Sequence, residues 1–377
     1  MRKSNFFQYL KDGVGAFADG GVLFPLLVLL AFQGGFSSPK LFASAGLAYL
    51  VSGWFFKIPM SVQPLKAIAI AAVAIGASGA EIRVSGFLLG LFCLLIAFTR
   101  VGRLAERVPS SVIHSIQLGL GVLLFLQGTA AIANASLPKL ALVLALLGAV
   151  LWFSSYSLLG FFAVGGIVAT LIAPQLLPHV KMAGNVNSGS LRILTILSLV
   201  LPQVALTATN SVIATADVSR RYYGKHAERV SERALLISIG VGNLISALWG
   251  GLPYCHGSGG VTAHYRGGAR TEFSNFVIGF FLIAVAFFAW FAGRPVVIGY
   301  PDFLLASLLM AVGIFHFSLA AATWKAGSLQ KIQLMASGLA ALLTHQMLVV
   351  LAVAIAGHWL ERRRAGEISN SLEALAQ

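Results

Sequence analysis

The sequence predicts an all-α polytopic membrane protein, and three observations lead to this prediction. Hydrophobic residues make up 58% of the 377 residues and charged residues only 10%, whereas a soluble domain carries about 25% charged residues. The mean hydropathy is +0.87. Apolar stretches of about 20 residues, the length of a membrane-spanning helix, recur along the chain. Twelve acidic residues cannot coat a soluble surface of this size, so a soluble enzyme is excluded.

The apolar stretches predict fourteen transmembrane segments in two sets of seven. The first set falls near 13–33, 40–56, 60–78, 84–99, 110–128, 138–152 and 156–173. The second set falls near 192–216, 233–249, 254–267, 273–292, 300–319, 328–343 and 346–360. We therefore expect a first repeat over residues 1–180, a second over 190–360 and a cytoplasmic tail over 361–377, without a soluble regulatory domain. The last pair of segments has one alternative, a single bent helix.

The distribution of basic residues predicts the orientation of the chain. Of the 26 Lys and Arg residues, 19 fall in segments that would be cytoplasmic if the N-terminus is inside, 6 fall outside, and Lys66 lies within a span. Cytoplasmic loops carry the excess of Lys and Arg. Both termini are therefore expected in the cytoplasm, and the net charge of +14 indicates orientation and not a nucleic-acid partner.

The third span of each half contains a similar interruption. Trp54 precedes Pro59 and the pair Gln63-Pro64, and Trp249 precedes Pro253 and a Gly-rich stretch. An odd number of spans per half inserts the two halves in opposite senses. Interrupted helices in corresponding positions are typical of inverted repeats that bind substrate near the bilayer midplane.

The two interrupted spans predict an anion-binding site between short helices. Proline disfavours a continuous helix and is well placed at a first helical turn, so one helix is expected to start near Pro64, with Gln63 at its N-terminus. The other is expected to start near Ser258, where Gly257 and Gly259 permit close approach of a ligand. Two facing helix N-termini would form a donor-rich pocket. The alternative is that the prolines only kink packed helices.

Span eight carries three polar residues at helical spacing. Gln203, Thr207 and Asn210 follow at i, i+4 and i+7, which places them on one helical face. Such residues face protein or a water-filled cavity. Contact with a ligand and interhelical hydrogen bonding are both open for them.

Three ionisable residues within spans have open roles. Asp19 is a candidate carrier of a coupling proton, or it forms a buried pair with Lys66. Lys66 could balance the charge of an anion. His256 could donate to an anion, or it could be a neutral imidazole bonded to the backbone. His316, like the other lone histidines His114 and His345, is interpreted as a packing residue.

Four motifs together resemble the molybdate transporter family of the sulfate-permease and nucleobase-transporter superfamily. They are GAFADGGVLFP at 15–25, PMSVQPLK at 59–66, LPQVALTATNSV at 201–212 and PYCHGSGG at 253–260 followed by YRGGAR at 265–270. The resemblance implies fourteen spans divided into a core and a gate domain. It also implies a substrate between spans three and ten. The candidate substrate-binding residues are Gln63, Pro64, Lys66, Gln203, Thr207, Asn210, Cys255, His256, Gly257, Ser258 and Gly259.

The function expected from this resemblance is secondary active import of a tetrahedral oxyanion, molybdate, by alternating access. Sulfate transport by the same fold and a passive anion channel are the alternatives. Related nucleobase carriers hold a neutral base with carboxylates in spans eight and ten, where this chain has no Glu. We expect no enzymatic activity, no cofactor and no metal site. The expected location is a bacterial inner membrane. Protons and a second copy of the chain are candidate partners.

Overall fold

The computed structural model describes residues 3–33, 36–99, 109–153, 156–172, 191–291, 300–321 and 327–376. This part of the chain is mostly helical. The helices of its first half are α1 Lys3–Gly15, α2 Gly20–Gln33, α3 Ser38–Phe56, α4 Lys66–Ala74, α5 Gly79–Phe98, α6 Ser110–Ala131, α7 Leu137–Phe153 and α8 Tyr156–Ile172. Those of its second half are α9 Ile193–Leu206, α10 Ala214–Tyr223, α11 Glu232–Trp249, α12 Ser258–Arg266, α13 Phe273–Phe291, α14 Asp302–Ala320, α15 Ser328–Thr344 and α16 Met347–Ala376.

Helices occupy all fourteen predicted spans. Within the described residues, seven segments are long and apolar enough to cross a membrane. They are Phe6–Ala31, Gly79–Phe98, Ser110–Ala131, Ile193–Ala227, Glu232–Trp249, Phe273–Phe291 and Asp302–Ala320. The protein is therefore an integral membrane protein. The seven-plus-seven inverted repeat stays a prediction, and the predicted boundary between its halves at 180–190 lies outside the described residues.

Span one is not a continuous helix. The chain turns between α1 and α2, and the carbonyl oxygen of Asp19 accepts the backbone N–H groups of Val22 and Leu23 at the start of α2. Asp19 thus stands at the break, within the buried part of the fold.

Spans three and ten are both broken, and their extended segments pair with each other. Strand β1, Gln63–Pro64, runs antiparallel to strand β2, Tyr254–Cys255. Helix α12 begins at Ser258 as expected. Helix α4 begins at Lys66, two residues after Pro64, because residues 63–64 are held extended by the ladder and Leu65 donates to the carbonyl of Pro253 at 3.0 Å. The expected place of Gln63 at a helix N-terminus is therefore wrong.

The C-terminal region forms two helices and not one bent helix. Helix α15 ends at His345, which adopts a left-handed conformation with φ of 55°. Helix α16 then starts at Met347 and continues to Ala376. The predicted boundary between residues 360 and 361 is thus not a helix end, because the last helix carries on through the polar tail.

The helices pack at crossings where glycine replaces a side chain. A Cβ atom at Gly46 in α3 would lie 2.7 Å from the carbonyl oxygen of Gly279 in α13. The same close approach, at 2.9 Å, joins Gly90 in α5 to Gly240 in α11 and Gly121 in α6 to Gly313 in α14. Small residues at such crossings let helix backbones approach closely in membranes.

One ion pair ties α5 to α9 at their N-termini. Glu81 accepts hydrogen bonds from the Nε atom of Arg192 at 2.9 Å and from its backbone N–H at 3.1 Å. Ser78 and Glu81 also form a reciprocal capping box at the start of α5. The contact with Glu81 raises the pKa of the Arg192 guanidinium, because the carboxylate stabilises its charged form.

Candidate functional site

A cavity of about 470 Å³ lies between the broken helices and α14. Its walls come from α4, α6, the segment that joins α9 to α10, α12 and α14. The lining residues are Lys66, Ile113, Gln117, Leu206, Thr209, Asn210, Ala214, Ser258, Gly259, Thr262, Arg266, Phe315, His316 and Leu319. None of these described residues is an Asp or Glu, so the polar groups among them are basic or neutral.

The N-terminus of α12 opens into this cavity. Gly257 precedes the helix in an extended conformation, and Ser258 and Gly259 form its first turn. The N–H groups of a first turn have no partner within their own helix. The Ser258 hydroxyl donates to the Asn210 amide oxygen at 2.6 Å, which fixes Asn210 beside the helix end. The arrangement presents hydrogen-bond donors and the positive end of the helix dipole to the cavity.

The N-terminus of α4 is closed, in contrast. The side-chain oxygen Oε1 of Gln203 accepts the backbone N–H of Ala67 at 2.8 Å and that of Ile68 at 3.4 Å. Gln203 thus caps α4 from α9. The expected pocket of two open helix ends is therefore only half present, since a protein side chain already occupies one of them.

Helix α4 contributes a charge instead. Lys66 is its first residue, has 5% of its surface exposed and lines the cavity. No ion pair in the described part of the chain includes Lys66 or Asp19, although the two interact electrostatically. The predicted buried pair is therefore not in contact. A buried charge without a counter-ion is costly, and an anion in the cavity would offset that cost.

A π-helical turn at Thr207–Ile213 divides the polar residues of span eight. Gln203 donates to the Thr207 hydroxyl at 3.0 Å, and neither residue is among the cavity-lining residues. Asn210 faces the cavity. The expectation of a single polar face assumed a regular α-helix. The extra residue per turn of a π-helix changes the register.

Gln63 and Asp19 lie behind the cavity and not in its lining. The Gln63 amide donates to the Asp19 carboxylate, and the Tyr49 hydroxyl donates to it at 3.2 Å. A Cβ atom at Gly260 would meet this carboxylate and this amide at 2.7 Å each. Gly260 lies on the face of α12 opposite to Ser258 and Thr262. The pair therefore supports the short helix from its rear side.

His256 is held by two protein partners. Its Nδ1 atom lies 2.7 Å from the carbonyl oxygen of Ser61 and its Nε2 atom 2.8 Å from the Ser238 hydroxyl. Cys255 and Pro64 are part of the strand pair. These residues, with Gly257, shape the backbone around the site and are not among the cavity-lining residues. Of the candidate set, the cavity brings together Lys66, Asn210, Ser258 and Gly259.

Several cavity residues are not among the candidates predicted from the sequence. Arg266 is exposed at the C-terminal end of α12, so the cavity extends from buried Lys66 to an exposed basic residue. Gln117 in α6 and His316 in α14 are buried and reach the cavity from the other side. The only signal for them in the sequence is a polar side chain within an otherwise apolar span. That signal does not say which way the side chain faces.

Comparison with known sequences identifies a family and several relatives. The family model described as "Molybdate transporter of MFS superfamily" matches residues 13–124 and 195–316. "Molybdate transporter 2" of Arabidopsis thaliana is 26% identical over 364 residues, covering 80% of this chain and 76% of that protein. "Molybdate transporter 1" of Chlamydomonas reinhardtii is 24% identical over 432 residues, covering 80% of this chain and 82% of that protein.

Comparison with solved structures identifies the fold. The transmembrane domain of the cyanobacterial bicarbonate transporter BicA superposes with a TM-score of 0.65 at 17% sequence identity. The match covers 94% of this chain and 98% of that domain. At this identity the similarity establishes the arrangement of helices alone.

Proposed function

Since the chain belongs to the molybdate transporter family, we propose that it is a secondary active transporter that imports molybdate by alternating access. The family and the relatives named above are transporters and not enzymes. The family membership predicted from the four sequence motifs is thereby confirmed.

One observation carries the proposal: buried Lys66 and the open N-terminus of α12 line the same cavity, and none of its described lining residues is a carboxylate. An oxyanion would accept hydrogen bonds from the first N–H groups of α12 and would neutralise the ammonium group. Hydrogen bonds to charged groups contribute roughly 1.5–3 kcal/mol each. A unit charge about 4 Å from another interacts by about 4 kcal/mol at an effective dielectric constant near 20.

The packing of the helices supports an alternating-access mechanism. Helices α3, α4, α5, α9, α11 and α13 form one group, to which α12 is connected through α1, and α6, α7, α14, α15 and α16 form a second group. Contacts of α9 with α16 and of α4 with α6 join the two groups, and α2 contacts helices of both. The cavity lies between the two groups, because α4 and α12 line one side and α6 and α14 line the other. Movement of the first group as a core against the second as a gate would expose the anion to either side in turn.

Asp19 is the proposed carrier of a coupling proton. It is buried, it accepts from Gln63 and Tyr49, and it interacts electrostatically with Lys66. Its position behind the first turn of α12 would let its charge influence an anion bound at the front. The basic end of the cavity at Arg266 would open on the cytoplasmic side of a bacterial inner membrane, and both termini would lie on that side.

The test is uptake of radiolabelled molybdate into proteoliposomes, with unlabelled molybdate, tungstate, sulfate and uracil as competitors. We expect concentrative uptake that tungstate inhibits strongly and uracil does not. Stronger inhibition by sulfate than by molybdate itself would assign the protein as a sulfate transporter. Uptake that only equilibrates under every imposed ion gradient would indicate a passive channel, and inhibition by uracil alone would overturn the anion site.

A further inference from the structure

His316 is a buried histidine whose ring forms no hydrogen bond with the described residues. It lies in α14, has 3% of its surface exposed and lines the cavity. Neither Nδ1 nor Nε2 finds a partner among the described residues. Buried polar groups in proteins are nearly always hydrogen-bonded, and an unmet one calls for a ligand, an ion or water. The two ring nitrogens of buried His256, in contrast, both have protein partners.

The position of His316 is fixed by the packing of α14. One turn before it, Gly313 crosses α6 so closely that a Cβ atom there would lie 2.9 Å from the carbonyl oxygen of Gly121. The preceding residue, Phe315, lies 3.8 Å from the Cβ position of Gly259 in the first turn of α12. His316 is therefore on a helix that is anchored to α6 and that contacts the open end of α12.

The groups that share the cavity with His316 favour an anionic ligand. Lys66 lies near enough for the two side chains to interact electrostatically. The Lys66 ammonium group and the His316 ring could both donate to one bound anion, and none of the described lining residues is a carboxylate that would compete for them. An ionised acceptor strengthens each of these hydrogen bonds.

We propose that His316 is an anion ligand supplied from α14, so that a bound tetrahedral oxyanion bridges the α4–α12 side and the α14 side of the cavity. This inference rests on the proposed function and adds a specificity-determining residue to it. One ring N–H would donate to one oxygen of the anion, while Lys66 and the first turn of α12 bind other oxygens.

Such a bridge selects for the shape of the ligand as well as its charge. A tetrahedral oxyanion carries four acceptor oxygens that point in different directions and can satisfy donors from opposite walls at once. A halide ion has a single centre and lacks this reach. The site should therefore distinguish oxyanions from chloride, and His316 should account for part of that distinction.

The experiment measures binding of sodium molybdate to the full chain in lipid nanodiscs. Isothermal titration gives Kd for the wild type, His316→Leu and His316→Gln. The control variants are Ser318→Ala, an exposed position on the same helix, and His226→Gln, an exposed histidine elsewhere. We expect His316→Leu to raise Kd about tenfold or more, as loss of one hydrogen bond to an anion implies. The Kd of His316→Gln, which retains a hydrogen-bond donor, should lie between those of the wild type and His316→Leu. Both control variants should have the Kd of the wild type.

A second measurement follows ligand binding in the wild-type protein, and the variant His316→Gln is needed only to assign the signals. The ring nitrogens of the 8 histidines are labelled with ¹⁵N, and the His316 signals are identified by their absence in His316→Gln. Molybdate at saturation should shift the His316 signals, and sodium chloride at the same ionic strength should not. The signals of buried His264, whose Nδ1 atom is held by the Gly15 carbonyl, should stay in place.

Two results would overturn the role of His316 and leave the proposed function intact. One is wild-type molybdate affinity in His316→Leu, and the other is a His316 spectrum unchanged at saturation. Failure of the wild type to bind molybdate at all would instead remove the proposed function, and the role of His316 with it.

Discussion

The Gln63 side-chain amide donates to the carboxylate of Asp19, and this bond joins the break in span one to the break in span three. Gln63 also pairs with Cys255 in the strand ladder. One buried glutamine therefore connects all three interrupted segments. A change in the charge of Asp19 would act on the backbone that carries the first turn of α12, on the side opposite to the cavity.

Asp19→Asn should reduce concentrative uptake of molybdate more than equilibrium exchange. The amide keeps the shape of the carboxylate but cannot release and rebind a proton, and a coupling group matters only when a proton must travel. Both rates are measured in the same proteoliposomes. Tyr49→Phe, which removes only one donor to Asp19, serves as the control. Equal loss in both assays for Asp19→Asn would assign Asp19 a structural role.

Asn210→Asp should weaken molybdate binding more than Asn210→Ala. Asn210 lines the cavity and accepts the Ser258 hydroxyl, so a carboxylate there would place a negative charge next to a dianion in a weakly screened site. We expect a rise in Kd of more than about tenfold for Asp, which corresponds to 1.4 kcal/mol. Titration of the purified variants with molybdate measures Kd. Equal affinities of Asn210→Asp and Asn210→Ala would show that the anion binds away from Asn210.

Gln203→Leu should lower stability more than it lowers affinity. Its side chain accepts from Ala67 and Ile68 at the start of α4, and leaving a buried donor unsatisfied costs about 1–3 kcal/mol. Thermal unfolding in detergent measures the change. Ser198→Ala is the control on the same helix, because that hydroxyl bonds only within α9. A large loss of affinity without a change in melting temperature would show that Gln203 contacts the substrate after all.

Gly313→Ala should impair transport although it lies outside the cavity lining. The added methyl group would come within 2.9 Å of the Gly121 carbonyl oxygen, so α14 must move away from α6 and carry His316 with it. Gly148→Ala in α7 is the matched control, because its Cβ atom would meet nothing within 4 Å. Uptake rates of the two variants are compared with the wild type, and equal rates for both would contradict the fixed crossing.

The sequence predicted the helices and the interruptions more completely than the contacts at the site. Apolar stretches, prolines and glycines are local signals, so the interruption of both third spans and the start of α12 at Ser258 could be predicted from them. The start of α4 could not, because it depends on strand pairing with residues 254–255, far away in the chain. The cap by Gln203 and the inward position of His316 depend on how whole helices cross, which no local pattern encodes.

The predicted symmetry of the two halves also holds only in part. Both third spans are broken and both contribute a strand and a short helix. The first presents Lys66 with its helix end capped, and the second presents an open helix end without a cation in its first turn. A sequence motif shows that a helix begins, but it does not show whether a neighbouring side chain already occupies the helix end.

The central claim is that a bound anion neutralises Lys66. Lys66→Gln removes a buried charge that has no carboxylate in contact among the described residues, so it should raise the melting temperature of the protein without ligand. It should also weaken molybdate binding, because the Coulomb attraction is lost. Arg266→Gln, at the exposed end of the cavity, should change the affinity much less, since exposed charges are screened by solvent.

The most direct test is the melting temperature of the wild type and Lys66→Gln with and without saturating sodium molybdate. A ligand that binds only the folded state stabilises it in proportion to the logarithm of its concentration over Kd. We predict a clear upward shift with molybdate for the wild type. For Lys66→Gln we predict a higher starting temperature and little or no shift. The same molybdate-induced shift in both proteins would contradict the assignment of Lys66 to the anion site.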